Sequence, residues 1–432
     1  MATEPLSAII VGAGHRAMVY ASYARHHPDE LRIVGVADPQ EYRRRQVAEL
    51  YQLPPERCFA SAEELAAKGR LADAVINGTM DAQHVPTTLP LLAAGYDVLL
   101  EKPFAVSADE VRQLAAMVRQ HQRKVLICHV LRYAPFYRKI REQVAAGLIG
   151  TLLNLQTSEH VSYHHMSVGF VRGKWNRQDR GGSSMLMAKC CHDLDLLMWF
   201  KSGVAPRRVS SFGGRMFFRP ECAPHDAGTQ CLVDCPLESR CTYSARKLYL
   251  DHTARWAFYV WDQLEDRGAT TLAEKEAFLR QPGNPYGRCI WKCDNDVVDH
   301  QSVMIEFADG ATATHNLVGG TSRPCRTVHL LGTTGEILGC LEDEEITVRH
   351  PDPRPGREYK EERLKLGDLG DTTGAFGGHG GGDLGLVSDF VRFLRGGAPS
   401  LSCTTLDDSL YGHLVGFAAD QARREGTIVP IS

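Results

Sequence analysis

The chain has 432 residues, of which 43% are hydrophobic and 23% charged, a composition typical of a globular protein with two or three domains. The net charge of −3 offers no basic excess for nucleic acid, and no apolar run approaches the roughly eighteen residues of a membrane span. The amino terminus lacks the basic and apolar regions of a secretory signal, and in such a chain thirteen cysteines favour reduced thiols or metal ligands over disulfides. We therefore expect a cytoplasmic protein that binds neither nucleic acid nor membrane.

The first predicted strand leads into a nucleotide-binding pattern. An apolar run over residues 7–11 is followed by Gly12-Ala13-Gly14-His15-Arg16-Ala17. Glycines at this spacing let the backbone turn tightly and approach a pyrophosphate, while the helix that follows offers free N–H groups. We therefore expect a dinucleotide to contact Gly12, Gly14, His15 and Arg16.

The second predicted strand, residues 31–37, ends in Asp38. An acid about 20 residues beyond the glycine turn is placed to bind a ribose 2′-hydroxyl. A carboxylate at this position repels a 2′-phosphate and favours NAD over NADP, although Arg43, Arg44 and Arg45 follow closely. The alternative is that Asp38 is an ordinary acid in a turn at the end of a strand.

Strand and helix patterns alternate as far as residue 129, which predicts a parallel, doubly wound sheet. One of these strands ends at Leu100 and runs into Glu101-Lys102-Pro103. The proline restricts Lys102 to extended geometry and keeps it at the carboxyl edge of the sheet, where open α/β folds bind their ligands. The alternative is a surface Lys-Pro turn.

The chain resembles the Gfo/Idh/MocA oxidoreductases. The resemblance rests on these motifs: Gly12–Ala17, Asp38, Thr79 with His84, Glu101-Lys102-Pro103, and Arg132-Tyr133. It implies NAD(P)-linked chemistry on sugars, cyclitols or related polyols, with Thr79, His84, Glu101 and Lys102 near the cofactor. It also implies a homo-dimer or homo-tetramer and two domains, a Rossmann-type domain over residues 1–130 and an α+β domain with an open antiparallel sheet over residues 131–432.

The residues beyond 152 agree with this second domain. Several segments alternate apolar and polar residues, which predicts an antiparallel sheet with one covered face. Asp309-Gly310 indicates a hairpin within it.

A helix predicted from residue 185 to 200 carries Lys189 and His192 on one face. Charged groups on an otherwise apolar helix are costly unless they face a cleft, although a partly exposed helix is the alternative. The family resemblance implies an aspartate four residues before His192, where this chain has Ala188. We predict His192 as the acid/base, with Lys102 orienting the hydroxyl and sharing its proton, and Lys189 and Tyr133 as further catalytic candidates.

A neutral polyol needs many hydrogen-bonding groups around it. The predicted substrate contacts are Arg132, His164, His165, Lys174, Trp175, Asp195 and His379. His379 belongs to a glycine-rich loop over residues 377–383, which is similar to a loop in family members that bind glycosides. A flexible linker is the alternative for this loop.

An insert over residues 219–299, which the resemblance does not cover, is rich in cysteine. Four cysteines in a polar, proline-containing stretch predict a structural zinc site at Cys222, Cys231, Cys235 and Cys241. The alternatives are an iron–sulfur cluster, ligation by Cys289 and Cys293 in place of Cys222, and cysteines that bind no metal. Between them, residues 254–264 are rich in Trp and Tyr and predict either a buried helix or a surface that stacks on sugar rings.

Three functions are compatible with these features. The leading one is an NAD-dependent oxidoreductase that oxidises a hydroxyl of a sugar, glycoside or cyclitol by hydride transfer. The second is an NAD-dependent glycosidase that works by transient C3 oxidation, elimination and water addition. The third is a non-catalytic NAD-binding sensor, which the alanine at position 188 favours and the presence of Lys102 and His192 opposes.

Overall fold

The computed structural model describes residues 4–252, 256–367 and 382–431. These residues form two β-sheets, one for each of the two sheets predicted from the sequence. The strands are β1 (Leu6–Val11), β2 (Leu31–Ala37), β3 (Cys58–Phe59), β4 (Ala74–Asn77), β5 (Asp97–Leu100), β6 (Val125–Ile127), β7 (Leu152–Ser162), β8 (Pro206–Gly214), β9 (His300–Phe307), β10 (Thr312–Thr321), β11 (Cys325–Gly332), β12 (Glu336–Cys340), β13 (Glu345–Pro351), β14 (Tyr359–Lys365) and β15 (Val429–Pro430).

Helices cover both faces of the first sheet and one face of the second. They are α1 (His15–Ala21), α2 (Tyr23–His26), α3 (Glu41–Tyr51), α4 (Ala62–Ala67), α5 (His84–Ala93), α6 (Ala108–His121), α7 (Pro135–Ala145), α8 (Tyr163–His165), α9 (Gln178–Gly181), α10 (Met185–Phe200), α11 (Leu272–Leu279), α12 (Gly382–Leu394) and α13 (Leu406–Glu425). No helix among the described residues is long and apolar enough to cross a membrane.

The first sheet has six parallel strands in the order β3-β2-β1-β4-β5-β6. Its central strands are continuous apolar runs because helices cover both faces, and Ile9, Val75 and Leu99 are fully buried. The order reverses between β1 and β4, so the loops that follow these strands border a crevice at the carboxyl edge. The predicted Rossmann-type sheet is confirmed.

The second sheet has nine strands in the order β14-β13-β12-β11-β7-β10-β9-β8-β15. It is mixed and mostly antiparallel, because β7 and β10 run parallel whereas their other neighbours run antiparallel. Asp309-Gly310 lies in the turn between β9 and β10, which confirms the predicted hairpin. Helices α10 and α13 pack together and against this sheet, whereas Phe212 and Met304 on neighbouring strands are exposed.

The C-terminal helices return to the first sheet. Leu386 and Phe390 of α12 are buried in the same apolar cluster as Ala17 and Leu99. Helix α13 contacts α6 as well as α10. Residues of α12 therefore contribute to the core of the Rossmann-type unit. The predicted domain boundary at residue 130 does not include this long-range packing.

The aromatic segment of the insert differs from the predicted helix. Its described part forms two 3₁₀ helices, Ala257–Val260 and Asp262–Arg267, and residues 253–255 lie outside the described ranges. Trp256 has a left-handed backbone conformation with φ of 60°, which interrupts a regular helix. Aromatic residues also lose side-chain freedom in a helix, and here their rings pack on other parts of the chain.

Candidate active site

A cavity of about 560 Å³ opens at the carboxyl edge of the first sheet and is closed by the second half of the chain. Residues from the glycine turn, from the loop after β5, from α10 and from the insert line it together. The predicted site residues in its wall are Gly12, Gly14, His15, Arg16, Asp38, Thr79, His84, Glu101, Lys102, His165, Lys174, Trp175, Lys189 and His192.

The glycine turn fits tightly against the loop after β4. Gly12 has φ of 76°, and a Cβ atom there would lie 2.8 Å from the backbone nitrogen of Thr79, so no larger residue fits. Asp38 is buried and accepts hydrogen bonds from the backbone N–H groups of Ala13 and Gln40, both at 2.8 Å. This carboxylate therefore holds the turn as well as bordering the cavity.

Arg16 and Glu101 form a network beneath the turn. Arg16 Nε donates to Glu101 Oε1 at 3.0 Å, and the Tyr20 hydroxyl donates to the same oxygen at 3.1 Å. Arg16 is also ion-paired with Asp383 of α12. These contacts tie α1 to the end of β5, which makes Glu101 an anchor for the loop that carries Lys102.

Lys102 joins the two halves of the site. Its Nζ donates to the backbone carbonyl of Ala188 at 2.9 Å. The His84 ring contacts two carbonyl oxygens, those of Pro103 at 2.7 Å and Thr79 at 3.0 Å, and so fixes the loop that holds the lysine. At the position where the resemblance implies an aspartate, the main chain thus accepts the lysine hydrogen bond.

Lys189 belongs to a buried ionic cluster. Its Nζ lies 3.1 Å from Glu159 Oε1, and Arg326 Nε lies 2.5 Å from Glu159 Oε2 and 3.3 Å from Asp193 Oδ1. Burial lowers the pKa of Lys189, and Glu159 opposes this shift. Burial raises the pKa of Asp193 to about 7, against the opposing charge of Arg326. Two cations therefore face the cavity with two buried acids behind them.

Sequence reasoning missed Arg326 and Glu159. Both lie at inward positions of alternating strands, where a charged side chain is costly unless it has a partner. A charged residue at an inward position can be recognised in the sequence. The pairing of Arg326 with Glu159 cannot, because it depends on strands β7 and β11 lying side by side.

His192 is buried in the cavity wall, and its ring lies 5.7 Å from that of His129 in an edge-on arrangement. Burial lowers the pKa of His129 well below its usual range, and the charges of Arg132 and Lys102 lower it further. His129 is therefore neutral at neutral pH and provides an uncharged neighbour for His192.

Aromatic rings form the outer wall. The Trp256 ring stacks on His165, with ring centres 4.0 Å apart and planes inclined by 11°. The Lys174 ammonium lies 4.5 Å from the centre of the Trp175 ring and 5.3 Å from that of Tyr259. Burial lowers the pKa of Lys174, and Asp262 opposes the shift. This wall combines flat apolar faces with a cation.

Some predicted site residues lie away from the cavity. Arg132 and Asp195 form a buried bidentate ion pair with N–O distances of 2.7 and 2.6 Å. The Tyr133 hydroxyl donates to Asp389 at 2.9 Å, so it serves the packing of α12. His164 is buried beside Tyr163, with ring centres 4.3 Å apart.

Four residues predicted to contact substrate or to act in catalysis are not among those that line the cavity: Arg132, Tyr133, His164 and Asp195. A buried guanidinium needs a carboxylate partner, and Asp195 provides one for Arg132 in the core. His379 lies outside the described residues.

Only some of the cysteines of the insert line the same cavity. Cys231, Cys235 and Cys241 line a second cavity together with Cys289. Cys222 lies apart from it, and its thiol donates to the backbone carbonyl of Met216 at 3.3 Å. The zinc site at Cys222, Cys231, Cys235 and Cys241 therefore stays a prediction, with three of its four cysteines at this cavity.

Two models of known protein families match this chain. Residues 6–129 match the family model described as "Oxidoreductase family, NAD-binding Rossmann fold", and residues 137–244 match the "GFO/IDH/MocA C-terminal domain". The chain belongs to the GFO/IDH/MocA oxidoreductase family. The predicted family and the prediction of an oxidoreductase are confirmed.

Individual relatives are distant. The oxidoreductase YteT of Bacillus subtilis is 24% identical over 73% of this chain and 71% of its own length. Trans-1,2-dihydrobenzene-1,2-diol dehydrogenase of Sus scrofa is 30% identical over 48% of this chain, which spans 59% of that relative. Among solved structures, an NAD binding oxidoreductase from Klebsiella pneumoniae has a TM-score of 0.70 at 17% identity, with 99% of each chain covered, and shows the same fold.

Proposed function

We propose that this family member is an NAD-dependent dehydrogenase that oxidises a secondary hydroxyl of a sugar, glycoside or cyclitol. The observation that carries the proposal is the shared cavity. Lys102, Lys189 and His192 line the same space as the glycine turn and Asp38. One side of the cavity thus has features that suit a dinucleotide, and the other side carries groups that can handle a proton.

The residues of the glycine turn fit the cofactor. A Cβ atom on Gly14 would have no neighbour closer than 3.8 Å, so its face is open to a ligand, whereas Gly12 is required by its close contact with Thr79. NAD supplies the acceptor for the hydride when it is bound. The residues of this chain then have to orient the hydroxyl and take its proton.

Lys102 and His192 are the proposed proton-handling pair. The Lys102 ammonium is held by the Ala188 carbonyl and is placed to donate a hydrogen bond to a substrate hydroxyl oxygen. His192 takes the proton, because it is the histidine of α10 in the cavity wall and histidine is the side chain most often used as a general base. Lys189, whose pKa burial lowers, is the further candidate.

We propose NAD over NADP. Asp38 is a buried carboxylate at the end of β2 and would repel a 2′-phosphate. Arg43 also lines the cavity, but Glu265 of the insert engages it with an N–O distance of 3.1 Å. Its charge is thereby partly satisfied without a phosphate.

The proposed substrate class follows from the wall of the cavity. Trp175, Tyr259 and Trp256 offer ring faces, and Lys174 and Asp81 offer polar atoms, a combination that suits a hydroxyl-rich ring with an apolar face of C–H groups. The name of the Sus scrofa relative specifies a vicinal diol, which is consistent with this class.

A test uses purified protein with a panel of sugars, cyclitols and aryl glycosides. NADH absorbance and released aglycone are recorded in the same reactions, with and without added NAD⁺. Net NADH formation on a member of the panel is the expected result. NAD binding with neither signal on any compound would contradict both enzymatic proposals and favour the sensor.

The second candidate, an NAD-dependent glycosidase, is favoured by one observation. Lys189 adds a third proton-handling group to the cavity, where a simple oxidation needs one base. After oxidation of C3, removal of the C2 proton by such a base would break the bond from C1 to the aglycone; water then adds across C1 and C2, and the ketone is reduced again. Aglycone release that requires NAD⁺ but yields no net NADH would identify this route.

We propose a homo-oligomer, a dimer or tetramer, built on the open face of the second sheet. Phe212 and Met304 are 78% and 57% exposed on adjacent strands, and large apolar side chains on one face often mark an interface. Location in the cytoplasm stays a prediction from the sequence.

A further inference from the structure

The insert brings four cysteines from two separate segments to one cavity. Cys231, Cys235, Cys241 and Cys289 line a space of about 470 Å³ that is distinct from the candidate active site. A short antiparallel pairing holds the segments together: Cys231 N–H donates to the Gly287 carbonyl and Cys289 N–H donates to the Thr229 carbonyl, both at 2.8 Å. The position of Cys289 beside Cys231 is therefore fixed by the backbone.

In this structure the thiols are not gathered around a single point, as the ligands of one tetrahedral ion are. Zinc–sulfur bonds of about 2.3 Å place neighbouring sulfurs about 3.8 Å apart. Among the described residues, no three ligand atoms that include an insert cysteine lie within 4.8 Å of one another. A four-iron cluster suits a wider arrangement, because each thiolate binds a different iron at a corner of the cluster.

A buried cation without an acidic partner borders this cavity. The Arg172 side chain is fully buried, and its guanidinium donates to the carbonyls of Arg288 and Tyr243, to the Tyr249 hydroxyl and to Cys231 Sγ at 3.3 Å. In the described part of the chain, no carboxylate forms an ion pair with it. Burying an isolated charge is expensive, and a thiolate-bound cluster with net negative charge would supply the missing anion.

The cavity also holds an unused donor. Trp291 is more than nine-tenths buried and lines the same space, and its indole N–H has no hydrogen-bond partner in the ranges that the structure describes. Buried donors are nearly always satisfied, and N–H groups around a cluster commonly donate to its sulfur atoms. The indole and Arg172 are two independent indications of an anionic, sulfur-containing group.

We propose that Cys231, Cys235, Cys241 and Cys289 bind a four-iron, four-sulfide cluster. Cys222 and Cys293 are outside the ligand set, because neither is among the residues that line this cavity. Arg172 immediately follows the π-helix Met166–Val171, which contributes Phe170 to the wall of the first cavity. The cluster would therefore brace the insert against the candidate active site.

The test is made on the full chain, purified without air and without chelator and then reconstituted anaerobically with ferric iron, sulfide and excess thiol, which reduces part of the iron. We expect about four irons and four acid-labile sulfides per chain, with the broad visible absorption of an iron–sulfur protein. Stoichiometric zinc without sulfide, or no cluster after reconstitution, would overturn the proposal. The outcome is independent of whether the protein oxidises any sugar.

Variants define the ligand set. Cys231→Ala and Cys289→Ala are each expected to lose most of the iron and sulfide, while Cys222→Ala, as the matched control, keeps the wild-type content. Circular dichroism establishes that each variant is folded. Equal iron loss in Cys222→Ala, or full cluster content in Cys289→Ala, would show that these four residues are not the ligands.

Discussion

Lys102 is the residue on which the account of the site depends. Its position could be predicted, because a buried strand followed by Glu-Lys-Pro specifies a lysine at the carboxyl edge of the sheet from local sequence alone. Its hydrogen bond to the Ala188 carbonyl could not, since that contact joins residues 86 positions apart. With no aspartate side chain at position 188, we expect the lysine to carry more of the proton handling.

The same distinction applies to the rest of the site. Gly12 and Asp38 were identifiable from their spacing along the chain, whereas Arg326 and Glu159 meet only after the second sheet has formed. A charged pair such as Arg132 and Asp195 looks the same in sequence whether it contacts a substrate or stabilises the core. Burial decides between these roles, and burial is a tertiary property.

Asp38→Asn tests the choice of cofactor. The substitution keeps an oxygen that can accept the Ala13 hydrogen bond but removes the charge that disfavours a 2′-phosphate. A hydrogen bond to a charged group contributes about 1.5–3 kcal/mol, so we expect the ratio of NADPH to NADH dissociation constants to fall roughly tenfold or more. Fluorescence titration with both nucleotides measures the ratio. An unchanged ratio would remove Asp38 from cofactor selection.

At the scale of elements, the aromatic segment of the insert is the part of the cavity wall whose structure could be predicted least well from the sequence. Its composition indicated stacking, but the 3₁₀ turns that aim the rings were not predicted. The Phe258 ring centre lies 4.8 Å from that of His15 at the glycine turn, whereas Trp256 stacks on His165. The two rings are therefore expected to serve different ligands.

Phe258→Ala and Trp256→Ala separate these roles. Aromatic contacts contribute about 0.5–1.5 kcal/mol, so each change should weaken its ligand by roughly 3- to 10-fold. We expect Phe258→Ala to raise the dissociation constant of NADH and Trp256→Ala to raise the KM of the sugar substrate. Tyr359→Ala, at an exposed aromatic position on β14, is the control. Identical effects of both variants on both constants would mean that the segment acts only by holding the insert in place.

The strands and helices themselves were largely predictable, because alternation with period two and amphipathic helices are local signals. The packing of α12 on the first sheet could not be predicted in this way. It brings Leu386 and Phe390 into contact with elements more than 250 residues earlier in the chain, which carry Ala17 and Leu99.

At the scale of the whole molecule, assembly tests the open sheet face. Phe212→Asp places a charge in the middle of the exposed apolar side chains, where desolvation on association would be costly. We expect sedimentation velocity to show a dimer or tetramer for the wild type and a smaller species for this variant. Leu50→Asp, at an exposed apolar position on α3, is expected to leave the mass unchanged. A monomeric wild type would refute the proposed interface.

Acid sensitivity is a second property of the whole fold. Burial lowers the pKa of His315 to about 4, with Glu159 opposing the shift, whereas an unfolded histidine titrates near 6.5. Below pH 6.5 the unfolded chain binds a proton that the folded chain excludes, so stability falls as the pH drops from about 6.5 to about 4. His129 and His413, whose pKa values burial also lowers, act in the same direction.

His315→Gln should flatten this dependence. The amide can retain the hydrogen bond to Thr157 but does not titrate. We expect the free energy of unfolding, from urea titrations at a series of pH values, to fall less between pH 6.5 and 4 in the variant than in the wild type. His26→Gln, at an exposed position, should leave the slope unchanged. Parallel curves for wild type and His315→Gln would exclude the buried imidazole as a source of acid lability.

Turnover of the Lys102→Ala variant shows whether Lys102 acts on substrate in a cavity that also binds NAD. Its kcat on the best compound of the panel is compared with that of wild type and of Lys139→Ala, a surface control on α7. We predict a loss of about 100-fold or more, with the NADH dissociation constant changed by less than about threefold. Turnover by Lys102→Ala equal to that of the wild type would contradict the account.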